Sequence, residues 1–146
     1  MFRRCLVAGS LMTLCGGLTS SQTVSPLPSV DYILSSPEVI KQADEMYYLA
    51  ARKQFVNEIG FAVNCQPQCL VGKLRVGRYS SLNFPAEAGN SALFHTHPTG
   101  HEKPSEADEQ VAREGKLYVF TVSFGRLYVS TPEGKSYEIS IGKLVK

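Results

Sequence analysis

The chain has no block of basic residues and no stripe of positive charge interleaved with aromatics, so nothing electrostatic favours a nucleic-acid partner. Heptads, internal repeats and low-complexity tracts are missing too, which excludes the fibrous and disordered classes. A membrane-spanning helix needs about 20 apolar residues. The apolar stretch near the start, "LVAGSLMTLCGGL", falls short of that. Cysteine and histidine are scarce, with four of the first and three of the second. What remains is an ordinary globular composition, 43% hydrophobic and 19% charged over 146 residues, enough for one domain with its own core.

The formal charge of +2 is unevenly placed. Arg3 and Arg4 sit in an opening segment without acids, and the rest of the chain carries 13 residues of each sign. A positive start, an apolar stretch and the small-residue end "TSS" give residues 1–21 the pattern of an export signal. Export places the protein in the periplasm or outside the cell, with no membrane span in the mature form. Lipid attachment at Cys15 is the alternative, but Leu14 stands where a small side chain is expected.

Cleavage near Ser20 or Ser21 removes Cys5 and Cys15 and leaves Cys65 and Cys69 in "VNCQPQCLV". An even pair in an oxidising compartment is expected as a disulfide, with Gln66-Pro67-Gln68 turning the chain between two apolar arms. The other reading, half of a zinc site, requires further ligands that are not found nearby in the sequence.

Residues 22–34 carry two prolines and no clear period, which suits an extended leader into a domain over 35–146. A helix is expected from Pro37 to about Gln54, capped by Ser35 or Ser36, with Val39, Ala43, Met46, Tyr47 and Ala50 on one stripe. Strands follow in "FVNEIGFAVNC", "CLVGKLRVG" and "SALFHTH", then a short helix in "SEADEQVAREG" and three β-rich runs. This order predicts an α/β (α+β) domain, a mixed sheet flanked by helices.

All the histidines lie within seven positions, at His95, His97 and His101. Residues i and i+2 of a strand face the same way, so His95 and His97 aim two imidazoles at one point, a spacing that suits a divalent metal. Zinc in a hydrolytic site takes three protein ligands and a water. Asp108, eleven residues beyond His97, can return as the third ligand from the start of the next helix. Ser105-x-x-Asp108 also reads as a helix capping box.

His95-Thr96-His97-Pro98, six residues, then Ser105-x-x-Asp108 resembles the JAMM motif of the JAB/MPN zinc metalloprotease superfamily at every marked position. That family also uses a glutamate on an earlier strand, and Glu58 in "NEIG" fits it. The resemblance spans residues 55 to about 125 and is similar to small exported bacterial JAB-like domains. It implies a cytidine-deaminase-like sheet, Zn²⁺ held by His95, His97 and Asp108, Glu58 as the catalytic base, and Ser105 as donor to the developing oxyanion. The implied function is a metalloprotease or amidohydrolase that cleaves peptide, isopeptide or cell-wall amide bonds outside the cytoplasm. A catalytically inactive JAB-like binding module of the cell envelope is the alternative. Two departures from the family stand out: the chain has no room for ubiquitin-gripping insertions, and residues 73–91 read as strand and loop rather than a helix. For Glu58, a strand carboxylate paired with Lys73 or Arg75 is the other reading.

Overall fold

The structure is a computed structural model, and it describes residues 26–79, 81–84, 89–98, 103–123 and 125–139. The expected export signal over 1–21, Cys15, the first part of the leader and His101 all lie outside the described residues.

The chain opens with two helices, α1 (Val30–Ser35) and α2 (Pro37–Arg52). α1 corrects the extended leader expected up to residue 34: the Ser29 hydroxyl caps the Tyr32 amide, and Ile33 is fully buried. A tertiary contact thus holds a helical turn where local pattern shows none. α2 starts as expected, with Ser36 as its cap, Pro37 at its first position and Glu38 complementing the helix dipole. It buries Val39, Met46 and Ala50.

Seven strands follow: β1 (Ile59–Cys65), β2 (Cys69–Val71), β3 (Arg75–Val76), β4 (Ala92–Thr96), β5 (Tyr118–Ser123), β6 (Arg126–Ser130) and β7 (Ser136–Ile139). They form one mixed sheet in the order β2-β1-β4-β5-β6-β7, with β3 also paired to β1. Only β4 and β5 run parallel; helix α3 (Glu106–Gly115) connects them, and every other pairing is antiparallel. The fold is therefore mixed α and β, as the element order predicts.

Alternation along the strands separates two faces. On one, Phe61, Phe94 and Phe120 stand in register on neighbouring strands, their rings stacked at 4.9 and 4.3 Å. This face packs with Val39, Met46 and Ala50 of α2 to form the main core. On the other, Leu93, Val119 and Leu117 pack against Ala112 of α3, with Ala62 and Phe84 at the border.

Two boundaries differ from expectation. The strand expected from Phe55 begins only at Ile59, because Gln54 and Phe55 take left-handed backbone (φ 56° and 51°) and turn the chain out of α2. The Phe55 ring is buried edge-on to Tyr47 at 5.4 Å, so its hydrophobicity serves the helix end rather than a strand. The "CLVGKLRVG" run breaks at Gly72 into β2 and β3.

The Cys65–Cys69 disulfide is present and joins directly opposed residues across the β1–β2 turn. Among the described residues no helix is long and apolar enough to cross a membrane.

Candidate metal centre

The cross-strand registers place Gly60, His95, Thr121, Tyr128 and Glu138 in one row on the α3 side of the sheet. α3 covers the neighbouring row, which holds Leu93 and Val119. The His95 row therefore lies toward the carboxyl ends of the parallel pair β4 and β5, where open α/β sheets keep their binding crevices. Imidazoles emerge here because "ALFHT" is buried along its whole length and Pro98 ends the run.

His95 and His97 are 4% and 7% exposed, and both turn Nε2 toward Asp108. His95 Nε2 lies 3.2 Å from Asp108 Oδ1, and His97 Nε2 lies 3.1 Å from Oδ2. One ligand atom from each residue falls within 4.8 Å of the others, the convergence a small divalent ion requires. The three expected ligands are thus brought together.

The two carboxylate oxygens of Asp108 have different surroundings. Oδ2 accepts from the Ser105 amide at 2.6 Å, the Ser105 hydroxyl at 2.8 Å and the His97 ring at 3.1 Å. Oδ1 lies 3.2 Å from His95 Nε2 but makes no hydrogen bond with it. Buried His95 Nε2 is consequently left without a hydrogen-bond partner among the described residues. Such an atom is costly to bury unless something else engages it. His95, His97 and Asp108 would hold a divalent cation, which would engage the buried Nε2, and two imidazoles with one carboxylate are a donor set that zinc accepts. The capping box and the ligand role are compatible, because the cap engages Oδ2 and the carboxylate has a second oxygen.

Electrostatics favour the ionised carboxylate. Burial pushes the Asp108 carboxyl up, but the adjacent His95 and His97 rings and the Ser105 amide together hold it well below the usual range. The acid is ready as an anionic ligand.

Glu58 is half-buried and directly precedes β1. β1 and β4 pair Gly60 with His95, and Ile59, the first residue of β1, turns its side chain into the main core. Alternation then puts Glu58 on the face of the two imidazoles. It is not one of the three converging ligand groups. Ser105 is the exposed N-cap of α3, with its hydroxyl hydrogen on Asp108 Oδ2.

The structure adds groups the sequence did not mark. Thr121, beside His95 in the row, is fully buried, and its hydroxyl has no hydrogen-bond partner among the described residues. A cleft of about 380 Å³ lies next to α3, lined by Lys103, Glu109, Tyr128, Ser136 and Glu138 among others. Ser136 donates to Glu109 at 2.7 Å, tying α3 to the far edge strand. The one signal in the sequence is a polar residue at an inward position of each apolar run. The parallel pairing that brings Thr121 beside His95 has no local signature.

The helix expected to be missing between the glutamate and the histidine strand is replaced among the described residues by β3, a bridge between Arg78 and Ser81, and a loop. Leu82 and Phe84 of that loop lie over Gly60, where a Cβ would collide with them and with the Phe94 carbonyl. The chain matches no family model, no curated protein and no solved structure.

Proposed function

We propose that this chain is a zinc-dependent hydrolase that cleaves amide bonds of peptide, isopeptide or cell-wall substrates outside the cytoplasm. One observation carries the proposal: His95, His97 and Asp108 converge at the mouth of the parallel strand pair, with buried His95 Nε2 lacking a hydrogen-bond partner among the described residues. The JAMM-like spacing of the same residues supports it, and so does Glu58 on the same sheet face. The disulfide is in keeping with an oxidising compartment.

Two imidazoles and one carboxylate are the kind of ligand set that hydrolytic zinc sites use together with a water. A bound zinc ion supplies Lewis acidity, making water a stronger acid and polarising the scissile carbonyl. Glu58 takes the proton from the attacking water as the carbon–oxygen bond forms, and passes it to the nitrogen as the carbon–nitrogen bond breaks. Ser105 donates to the carbonyl oxygen once its hydroxyl turns away from Asp108; donors of this kind contribute about 3 to 4 kcal/mol to the transition state. The cleft between α3 and the far strands receives the substrate chain, with Tyr128 and Ser136 as polar contacts.

A second reading, a metal-holding module of the envelope without turnover, is favoured by one feature: the Ser105 hydroxyl is already engaged by Asp108. The two separate on purified protein. Stoichiometric zinc, with hydrolysis of a peptide and muropeptide panel that disappears in Glu58→Gln while the metal stays, is the expected result. Bound zinc with no turnover across that panel favours the module, and failure of the wild type to take up zinc overturns both.

A further inference from the structure

Thr96 is fully buried on the main-core face, in the last position of β4, between the two histidines. Its hydroxyl does not face the metal centre. It accepts a hydrogen bond from the Ile59 amide at 3.2 Å and lies 3.4 Å from the Ile59 carbonyl, to which it donates. The backbone pairing of β1 with β4 ends at Gly60 and His95, so this side chain extends the ladder by one residue where the strand itself stops.

The peptide unit held in this way joins Glu58 to Ile59. Its carbonyl, belonging to Glu58, accepts from the Gly77 amide at 2.8 Å, while its N–H, belonging to Ile59, goes to Thr96. The Glu58 amide in turn donates to the Arg78 carbonyl at 3.1 Å. Gly77 and Thr96 therefore grip one peptide plane from opposite edges. That plane sets the backbone torsion at Glu58, and with it the direction in which the side chain leaves the strand. Apolar packing alone at position 96 would fill the same volume and leave one edge free.

We propose that Thr96 is a positioning residue for Glu58: through the Ile59 peptide, its hydroxyl aims the carboxylate at the ion site. This rests on the hydrolase function proposed above. Val is isosteric with Thr but lacks the hydroxyl, and Ser keeps the hydroxyl but lacks the methyl, so the two variants isolate the hydrogen bond from the packing.

The test uses the full mature chain loaded with Co²⁺ in place of zinc, with Glu58 and the ring protons of His95 and His97 followed by their hyperfine shifts. In Thr96→Val the Glu58 side-chain shifts change while those of both rings stay. In Thr96→Ser all three match the wild type. With zinc, Thr96→Val lowers kcat about 10- to 100-fold, the penalty of a catalytic group displaced by about 1 Å, at unchanged KM, and Thr96→Ser restores it. The wild-type Ile59 amide reads the bond directly, whatever the stability of the variants: it exchanges as slowly as that of Phe61 inside β1. Rapid exchange at Ile59 overturns the proposal, as do Glu58 shifts identical in Thr96→Val and wild type. A wild type that binds no Co²⁺, or shows no hyperfine shift at Glu58, overturns the hydrolase function as well.

Discussion

Ser105 and Asp108 close on each other through three hydrogen bonds: amide to carboxylate at 2.6 Å, hydroxyl to carboxylate at 2.8 Å, and the Asp108 amide back to the hydroxyl at 3.2 Å. The same carboxylate meets both imidazoles. The start of α3 is thereby fixed to the end of β4, and a local capping device becomes the frame of the His95–His97–Asp108 cluster.

Asp108→Asn separates cap from ligand. Its amide oxygen can still accept from the Ser105 backbone, so the metal-free variant loses no more than the 0.5–2 kcal/mol typical of a cap. Its zinc affinity falls about 100-fold or more, since even residues that only support a ligand contribute 10- to 100-fold. Zinc titration beside denaturant melts of the chelator-treated protein measures both.

Acid sensitivity follows from the depressed Asp108 carboxyl. The folded-state value lies below the ordinary 3.8, so the ionised group stabilises the fold above that pH, and the contribution is lost as pH falls below it. In metal-free protein, the stability gap between wild type and Asp108→Ala should be full near neutrality and shrink progressively in solutions more acidic than 3.8. Urea unfolding across that range reads the gap; one that widens toward acid contradicts the charge arrangement described.

Gly60 faces His95 across the β1–β4 pair, under Leu82 and Phe84. Gly60→Ala must displace the Phe94 backbone as well as the loop side chains above it, at about 1–3 kcal/mol for overpacking. Weaker zinc binding should accompany the lower melting temperature, because the displaced backbone belongs to the strand that carries both imidazoles. A melting temperature and zinc affinity equal to wild type would mean that β1 and β4 separate there without disturbing the histidines.

The disulfide should act on stability alone. Cys65 and Cys69 sit at the far end of β1 from Ile59, about 20 Å along the strand at about 3.3 Å per residue. Closing so short a loop stabilises by about 2 kcal/mol in the chain-entropy account. The double variant Cys65→Ala, Cys69→Ala is expected to melt earlier and still bind one equivalent of zinc. Metal loss there would show that the hairpin and the centre are coupled through β1.

Much of this protein is determined by local sequence. Ser36-Pro37-Glu38 starts α2, Ser105-x-x-Asp108 starts α3, and the two-residue spacing of His95 and His97 gives them a common face. Each follows from backbone geometry and side-chain chemistry within a few residues, so no distant partner is required. Tertiary structure alone decided the rest. Phe55 looks like a strand residue and instead closes a helix; α1 forms because Ile33 reaches the core; His95 comes to lie beside Gly60 only through the register of β1 on β4. Thr121 joins His95 through a parallel pairing across an intervening helix. These arrangements depend on which strands become neighbours, and that is settled by burial summed over the whole sheet rather than by any short stretch of chain.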